Sequence, residues 1–516
     1  MNGAESLVKT MLASGVDTCF ANPGTSEMHF VAALDSHPEM RCILCLFEGG
    51  TSGAADGYFR MKRKPAATML HLAPGFGNAF SNLHNARKAG SGVVNVMGEH
   101  ATYHLKYDSP LRGDTDGISR AVSNWTRTSE TAADVARDGA AAIRAARSRG
   151  GQIATLILPA DTAWEEGSAP ETAGAPPPLH RPDAARLDAA AAMLCRPDAA
   201  FLVGGSALFG TDRILAAQIA QAAGCRLIAP LFAPRIERGA GSLPIEQLFY
   251  MIEANMEMLA GLKHMVCCGA GAPVNFFAYP GKTSTPEPAD CQVMDLCDPG
   301  MDVSYCLEEL AGRLEARRET VAPVALDLPE MPEQPDGPLT PASAGAVIAR
   351  LMPENAIIVN EAVTSGAPVF NATAAARRHD WLPTMGGAIG QCLPAATGAA
   401  VACPDRRVLA LSGDGSAMYT LQSLWTMARE RLDVTVIIFA NRGYQILWGE
   451  LNNLGVGHVG RNAAAMFDVD DPMLDWVALA RGHGVAGARA ASPVEFAAAL
   501  QEGLERPGPY LIEAVI

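Results

Sequence analysis

The sequence lacks the features that mark secreted, membrane and nucleic-acid-binding proteins. Its first residues carry neither a basic segment nor an apolar core, so no signal peptide is predicted. No uninterrupted apolar run reaches about 18 residues, the length that a membrane-spanning helix needs. The 40 Lys and Arg residues are outnumbered by 55 Asp and Glu, and no basic cluster occurs. These absences predict a cytoplasmic protein that binds neither nucleic acid nor a membrane.

Motifs built on cysteine, serine or histidine are also scarce. The 12 cysteines are scattered, and the CxxC from Cys42 to Cys45 has no second CxxC to complete a zinc site. Buried free thiols in a reducing cytoplasm are therefore predicted. The chain has no Gly-x-Ser-x-Gly elbow in a strand-turn-helix setting and no His-Glu-x-x-His pair. The sequence thus gives no support for serine-hydrolase or zinc-protease chemistry.

The size and patterning of the chain indicate three α/β units. It has 516 residues, 49% of them hydrophobic, which suits about three domains of ordinary size. Helix-like and strand-like runs alternate, which predicts parallel sheets covered by helices. Segments rich in proline, glycine and alanine at 167–182 and 321–341 are interpreted as linkers. We therefore expect an α/β fold of three doubly wound parallel-sheet domains, at residues 1–166, 183–322 and 342–516.

Two polar residues each follow an apolar run in the third unit. Asp414 lies in the Gly-Asp-Gly-Ser segment that follows residues 408–411, and Asn441 comes directly after residues 434–440. A helix is predicted between them, from 420 to about 431. The carboxyl ends of parallel strands meet at one edge of a sheet, where α/β proteins bind ligands. Carboxylate, amide and carbonyl oxygens suit Mg²⁺, and small neighbours let backbone N–H groups approach a diphosphate. These neighbours are Gly413, Gly415 and Ser416.

The Gly-Asp-Gly sequence, with an asparagine at this spacing, resembles the binding motif for thiamin diphosphate. The family motif ends in two asparagines, whereas this chain has Ala440-Asn441 and lacks the first. The resemblance implies that Asp414, Asn441 and the backbone carbonyl of Gly443 bind Mg²⁺. The three-unit layout is similar to that of thiamin-diphosphate-dependent 2-oxo acid decarboxylases and acetolactate synthases. In that family the units are a pyrimidine-binding, a central Rossmann-like and a diphosphate-binding domain.

Glu48 opens a second stretch that resembles this family. It follows a predicted strand at 41–47 and begins the sequence Glu-Gly-x-x-x-Gly-Ala-Ala-Asp-Gly-Tyr at residues 48–58. The resemblance implies that Glu48 hydrogen-bonds the aminopyrimidine ring of the cofactor. That bond promotes the tautomer whose nitrogen removes the thiazolium C2 proton.

Residues 385–391 resemble the family loop that faces the same ring. There the resemblance implies that Ile389 holds the cofactor in a bent shape and that the Gly387 carbonyl accepts from its amino group. The residues after the metal asparagine line the cofactor and substrate pocket in the family. By this resemblance Tyr444 is expected at the cofactor, and Ile446 and Leu447 at an apolar substrate wall. No role is assigned to Glu450, for which a position facing water is the simple interpretation.

His71 and Thr25 place the motifs of this chain nearest to those of the benzoylformate decarboxylases. His71 follows the apolar run at 66–70, where those enzymes have an active-site histidine. Thr25 lies where they have a serine that binds the substrate carboxylate. The resemblance implies catalytic roles for both. A second histidine, which follows Gly-Ala-Pro-Val in those enzymes, is missing after residues 271–274.

Two features are left open by the residues. Gly204-Gly205 ends a strand-like run but is not a full Gly-x-Gly-x-x-Gly. A central domain without ligand is therefore favoured over one that binds FAD or ADP, and FAD is not expected. His100 and His104 lie in a loop beyond a strand, where a site role and an ordinary loop role fit the pattern equally well.

The resemblance implies a thiamin-diphosphate- and Mg²⁺-dependent carbon–carbon lyase that converts a 2-oxo acid to an aldehyde, with carboligation left open. One alternative is an acetolactate synthase-type carboligase, although the loop at 71–75 differs from the Ser-Gly-Pro-Gly-Ala of typical synthases. Another is a non-catalytic cofactor-binding homologue, against which Glu48, Asp414 and Asn441 argue. Because family sites lie between subunits, a homodimer or homotetramer is expected.

Overall fold

Three β-sheets flanked by helices make up the computed structural model, which describes residues 1–332 and 337–516. Part of the interpreted linker at 321–341, residues 333–336, lies outside the described residues. Nearly all strand pairs are parallel, as the alternation of strand-like and helix-like runs predicts. The expected α/β class with three parallel sheets is confirmed. Among the described residues, no helix is both long enough and apolar enough to cross a bilayer.

The first sheet has six parallel strands in the order β2-β1-β3-β4-β6-β5. Its strands are β1 (Thr18–Ala21), β2 (Arg41–Leu44), β3 (Ala66–Leu70), β4 (Val93–Glu99), β5 (Trp125–Thr128) and β6 (Ile153–Pro159). The helices of this part are α1 (Gly3–Ala13), α2 (Met28–Asp35), α3 (Glu48–Lys62), α4 (Leu72–Lys88), α5 (Thr115–Arg120), α6 (Val135–Arg147) and α7 (Ala160–Trp164). Along β1, Phe20 packs into one core and its neighbours Cys19 and Ala21 into another, so both faces are covered.

The second sheet has five parallel strands in the order β10-β8-β7-β11-β12. The strands of this segment are β7 (Ala199–Val203), β8 (Arg226–Ala229), β9 (Ile236–Arg238), β10 (Glu246–Gln247), β11 (His264–Cys268) and β12 (Gln292–Cys297). Its helices are α8 (Ala184–Leu194), α9 (Gly210–Ala223), α10 (Ile252–Met258) and α11 (Val303–Arg313). Strand β9 leaves this sheet and pairs with the third one, so the segment predicted as the central unit also extends a neighbouring sheet.

The third sheet has seven strands in the order β17-β18-β16-β15-β13-β14-β9, and β9 is antiparallel to β14. The remaining strands are β13 (Ala356–Glu361), β14 (His379–Pro383), β15 (Val408–Gly413), β16 (Val434–Ala440), β17 (Ala486–Ala490) and β18 (Tyr510–Val515). The helices are α12 (Pro341–Leu351), α13 (Val363–Ala372), α14 (Cys392–Ala402), α15 (Asp414–Ala417), α16 (Ser423–Glu430), α17 (Gln445–Asn453), α18 (Arg461–Phe467), α19 (Trp476–Gly482) and α20 (Pro493–Glu505).

Two sequence-based boundaries need correction. The strand predicted at 41–47 ends at Leu44, and Glu48 is the first residue of α3 rather than the last of a strand. An acidic residue in the first helical turn is favoured because the unpaired N–H groups there carry partial positive charge. The helix predicted from 420 to about 431 is shorter, and only α16 and the single turn α15 are helical in that region.

Helices α3 and α14 join the first and third sheets at a very close crossing. A Cβ atom on Gly57 would lie 2.0 Å from the backbone oxygen of Ala395, and one on Gly398 would lie 1.8 Å from that of Ala54. Both contacts are to backbone, so no side chain can turn away to make room. Buried residues of both sheets share one apolar core around this crossing. The two sheets therefore have a fixed relative orientation within the chain.

Gly57→Ala is expected to destabilise the protein by more than about 2 kcal/mol, because the added methyl group forces the two helices apart. Urea denaturation measures the change in the midpoint. The matched control is Gly312→Ala in α11, where a Cβ would meet no atom within 4 Å. There the same substitution removes only the helix penalty of glycine and should stabilise by about 0.5–1 kcal/mol. Equal midpoints for the two variants would contradict the close crossing.

Candidate functional site

The ends of strands β15 and β16 bring Asp414 and Asn441 to one edge of the third sheet. The two strands are neighbours, with Gly413 paired to Phe439. Asp414 is buried, and its carboxylate accepts from the N–H of Arg442 at 2.6 Å and from that of Gly415 at 2.8 Å. The oxygen-donor side chains that the sequence separates by 27 positions are thus brought to adjacent strand ends.

The segment after β16 is a tight turn. The Asn441 side-chain oxygen accepts from the N–H of Gly443 at 3.2 Å. Tyr444 then folds back, and its ring lies so near Gly415 that a Cβ there would be 2.6 Å from the ring. Glycine is required at 415 for this close approach. Ser416 is buried in the single turn of α15 next to it.

These residues fit a magnesium diphosphate group. They offer a carboxylate, an amide oxygen and backbone carbonyls, which are the ligands that Mg²⁺ takes in proteins. Burial raises the pKa of the Asp414 carboxyl, while the N–H groups of Arg442 and Gly415 act in the opposite direction. A cation bound at this carboxylate would offset the cost of burying its charge.

The loop between β14 and α14 turns at two glycines. Gly387 and Gly390 have φ values of 77° and 93°, in the region that favours glycine. Asn85 of α4 accepts from the N–H of Gly386 at 3.1 Å and donates to the Ala388 carbonyl at 2.8 Å. Gly387 is exposed and Ile389 half-buried. The two residues predicted to face the cofactor are therefore accessible, on a loop held by side chains from the first sheet's helices.

A buried carboxyl that sequence reasoning missed lies beneath this loop. Glu361 ends β13 and accepts from the N–H of Gln391 at 2.7 Å and from the Ser412 hydroxyl at 3.2 Å. Its burial raises the pKa of the carboxyl to about 7, against those hydrogen bonds. Gln391 also donates to Asp56 of α3 at 2.5 Å. The signal was present in the sequence, since Glu361 follows the apolar run 356–359 closely, as Asp414 follows the run 408–411.

Glu48 is buried at the start of α3. Asn78 of α4 donates to its carboxylate at 2.9 Å. A Cβ on Gly75 would lie 2.9 Å from Glu48 Oε1 and 3.3 Å from the Cβ of His71. Glycine at 75 therefore leaves the space that Glu48 and His71 share. Asn78, which fixes the carboxylate, was not singled out from the sequence.

His71 caps the start of α4 and is held by a carboxylate. Its Nδ1 lies 2.9 Å from Glu27 Oε2 and 3.3 Å from the Ser26 hydroxyl. Ser26 also donates to Glu27 at 2.5 Å. Thr25, the residue predicted to bind the substrate carboxylate, is exposed in the same turn. The structure thus adds Ser26 and Glu27 to the predicted pair, neither of which a local motif had indicated.

The residues after Tyr444 lie on α17, where Ile446 is half-buried and Leu447 exposed. Glu450, to which the sequence assigned no role, is half-buried. Its carboxylate accepts from the phenol of Tyr250 at 3.0 Å and from that of Tyr279. Both tyrosines belong to the central segment, about 170 to 200 positions away, so only the tertiary fold brings them together.

His100 and His104 lie beyond β4. Their ring centroids are 5.6 Å apart, and the His104 ring packs against Tyr107 at 5.4 Å. The Ser109 hydroxyl lies 3.1 Å from His100 Nε2. Each ring thus has local partners within the loop. The two alternatives, a role in the site and an ordinary loop position, both stand for His100 and His104.

The central sheet carries a cavity of about 510 Å³ at the ends of β7 and β11. It is lined by Gly204 and Gly205, by residues 269–276 and by aromatic side chains that include Phe249. Binding of FAD or ADP can be tested at this cavity. The expectation that FAD is not bound stays a prediction.

The cysteines are free thiols, as expected, but not all are buried. Cys42 and Cys195 are exposed, which corrects that part of the prediction. Cys268, Cys297 and Cys306 lie with their sulfur atoms within 4.8 Å of one another inside the central core. Hydrogen bonds from the other two thiols lower the pKa of Cys306. Their sequence spacing gave no sign of this contact.

The chain matches two family models and is similar in sequence to known proteins along almost its whole length. Residues 1–122 match the model of the N-terminal TPP binding domain of thiamine pyrophosphate enzymes, and residues 365–514 match that of the C-terminal TPP binding domain. The chain is 49% identical, over 100% of its length and 99% of the relative, to "Putative acetolactate synthase large subunit IlvX" of Mycobacterium tuberculosis. It is 30% identical, over 97% of its length and 96% of the relative, to benzoylformate decarboxylase of Pseudomonas aeruginosa.

A solved structure shows the same fold. The thiamine diphosphate-dependent 4-hydroxybenzoylformate decarboxylase of Rhodococcus jostii RHA1 superposes with a TM-score of 0.84. The match covers 100% of this chain and 99% of that one, at 23% sequence identity. At this identity the likeness supports the three-sheet architecture alone.

Glu361→Gln is expected to stabilise the protein at neutral pH. The folded pKa of about 7 lies above the ordinary value of 4.5. The contribution of Glu361 to wild-type stability is therefore full below pH 4.5. It is lost as the pH rises through 7, which lowers the free energy of unfolding by about 3 kcal/mol. An amide does not titrate and still offers an acceptor to the N–H of Gln391. Urea denaturation across this pH range measures the difference.

Glu495→Gln is the matched control for this variant. Glu495 is exposed, and hydrogen bonds from the N–H groups of Ala491 and Ser492 lower its pKa. Its contribution to stability is present above its ordinary pKa and lost on acidification, so this variant should lose stability at neutral pH. A Glu361→Gln protein whose stability still falls from pH 4.5 to 7 as in the wild type would show that burial of Glu361 is not the cause.

Proposed function

The chain belongs to the thiamin-diphosphate-dependent enzyme family of acetolactate synthases and benzoylformate decarboxylases, and we propose that it decarboxylates a 2-oxo acid to an aldehyde without oxidation. The observation that carries this proposal is the space at Gly75, which Glu48 and His71 border together. The carboxyl proposed to activate the cofactor and the side chain that carries the imidazole thus both lie against Gly75. The proposed decarboxylation uses both groups.

Asp414, Asn441 and the Gly443 carbonyl would hold Mg²⁺ and through it the diphosphate. Bound thiamin diphosphate supplies a carbon nucleophile for the 2-oxo carbon and an acceptor for the electron pair that CO₂ leaves behind. Ile389 would support the bent cofactor, and the Gly387 carbonyl would accept from its amino group. Glu48, oriented by the Asn78 amide, would hold a proton at the pyrimidine nitrogen.

His71 would deliver the proton that replaces CO₂. An ionised Glu27 can only accept, so the 2.9 Å contact makes His71 Nδ1 the donor and turns Nε2 away from the carboxylate. The protonated imidazole can then release a proton from Nε2. Thr25 and Ser26, in the turn that holds Glu27, are the hydroxyls available to the substrate carboxylate.

An acetolactate synthase-type reaction is the second candidate. It is favoured by the relative at 49% identity, whose name describes a synthase large subunit. In that reaction a second 2-oxo acid, rather than a proton, takes the new bond. The two candidates share Glu48 and Asp414 and differ in what His71 contributes.

A screen of 2-oxo acids with thiamin diphosphate and Mg²⁺, following both CO₂ and products, tests the proposal. Pyruvate and benzoylformate are the first substrates to compare. We expect aldehyde as the main product, and His71→Ala should lower its rate of formation about 100-fold. His37→Asn is the control, since His37 also contacts a carboxylate, that of the exposed Glu39 at 3.3 Å. Acetolactate as the main product from pyruvate would favour the synthase instead.

We also propose that the sites form between subunits of a homodimer or homotetramer, with Glu48 and Asp414 supplied by different chains. Glu48→Gln and Asp414→Ala should each abolish activity, and Asp414→Ala should also lose Mg²⁺-dependent retention of thiamin diphosphate on dialysis. Unfolding and refolding the two variants together should restore about a quarter of wild-type activity, because half of the dimers are mixed and each carries one intact site. No recovery in the mixture, with wild type refolding normally, would place both residues in one chain's site.

A further inference from the structure

Helix α17 lies next to the proposed metal ligands, but no buried side chain fixes its position. It begins two residues after Gly443, and none of its nine residues is buried. Its ring contact is that of Trp448 with Phe467 of α18, at 5.2 Å between centroids, and α18 has no buried residue either. Apolar packing within the chain therefore contributes little to the position of a helix that carries the predicted substrate wall, Ile446 and Leu447.

Two hydrogen bonds to a carboxylate connect this helix to the central segment. Glu450 accepts from the Tyr250 hydroxyl at 3.0 Å on one carboxylate oxygen and from the Tyr279 hydroxyl on the other. Burial and the nearby carboxylate raise the pKa of both phenols, so they remain protonated donors. Hydrogen bonds to an ionised acceptor are about twice as strong as those between neutral groups. Two such bonds can fix one end of α17.

Tyr250 also adjoins a group of aromatic rings that reaches the loop at 385–391. Phe276 packs against Tyr250 at 5.5 Å, Phe277 at 4.6 Å and Phe232 at 5.7 Å. Its ring edge touches the predicted pyrimidine-facing loop, where a Cβ on Gly387 would lie 2.6 Å from it. Phe276 is still 41% exposed, so part of the ring faces open space beside that loop.

We propose that Glu450, Tyr250 and Tyr279 form a latch that holds α17 and Phe276 as adjoining walls of the substrate pocket and so selects 2-oxo acids with small side chains. This inference rests on the proposed function. A 2-oxo acid with an aryl side chain requires α17 and Phe276 to move apart, and the two phenol–carboxylate bonds oppose that movement. A small one, such as pyruvate, fits between them without that movement. Glu450 acts here as a positioning residue, since it holds the walls and takes no part in proton transfer.

Glu450→Gln and Tyr279→Phe are the variants that open the latch. Both keep the size of the side chain; Glu450→Gln removes the charge that the two bonds share, and Tyr279→Phe removes the donor of one bond. The ratio of kcat/KM for benzoylformate to that for pyruvate should rise about tenfold, as a lost hydrogen bond to a charged group predicts. The change should lie mainly in KM for benzoylformate, because the latch governs access and leaves the proton donor in place.

Tyr305→Phe is the matched control. It makes the same chemical change in α11, where Tyr305 stacks on Arg181 at 4.3 Å, and should leave the ratio unchanged. The double variant Glu450→Gln/Tyr279→Phe should shift the ratio no further than Glu450→Gln alone, because the bond from Tyr279 has already lost its charged acceptor in Glu450→Gln. Fully additive shifts would overturn the latch.

Hydrogen exchange provides a readout that needs no turnover. Amides of residues 445–453 should exchange about tenfold faster in Glu450→Gln than in wild type or Tyr305→Phe. Unchanged exchange overturns the latch, whatever the enzyme does. If exchange rises but no 2-oxo acid is turned over by the wild type, the latch stands as a structural tie and the proposed reaction fails. If exchange rises and the substrate ratio stays constant, the role in specificity is wrong.

Discussion

The backbone contact between α3 and α14 is the constraint on which the site depends. Where Gly57 faces Ala395 and Gly398 faces Ala54, no side chain stands between the helices, so the first and third sheets cannot rotate against each other without a backbone clash. Glu48 starts one of these helices, and the loop of Gly387 and Ile389 leads directly into the other. The crossing therefore sets the relative directions of the Glu48 carboxylate and of the loop that carries Gly387 and Ile389.

Asp414 and Glu361 are two buried carboxyls near this crossing. Burial raises the pKa of each, and hydrogen bonds from their neighbours oppose that rise. Asp414 accepts from two backbone N–H groups and adjoins the place that a cation would take. Glu361 accepts from the N–H of Gln391 and the Ser412 hydroxyl. Backbone N–H groups of Cys392 and Gly390 also act to lower its pKa, but complete burial outweighs them and raises the pKa to about 7. Asp414 thus suits a permanent charge beside a metal, whereas Glu361 is a neutral hydrogen-bonding group under the cofactor loop at mildly acidic pH. The two acids follow from one sequence pattern, an acidic residue at a strand end, yet they differ in chemistry.

The sequence revealed those parts of the site that local pattern determines. Continuous apolar runs mark strands buried on both faces, and the residue after each run must lie at the sheet edge, which is why Asp414 and Asn441 could be placed. Glu48 was found by its motif but assigned to a strand end, because no periodicity separates a four-residue strand from the turn after it. Contacts across long separations gave no local signal. Glu27 beneath His71, the two tyrosines on Glu450 and the transfer of β9 to the third sheet all depend on how distant segments meet.

The choice between decarboxylase and synthase depends on what reaches the reacting carbon after CO₂ leaves. In the proposed decarboxylation, the proton would come from His71, whose Nδ1 lies 2.9 Å from Glu27, whereas a second 2-oxo acid must diffuse in and fit between the pocket walls. Under the proposed latch, walls formed by α17 and Phe276 would slow that entry more than a proton transfer over a short distance. The same latch would thus favour protonation over carboligation. A synthase that admitted its second substrate by moving α17 would have to break the two bonds of this helix to the central segment.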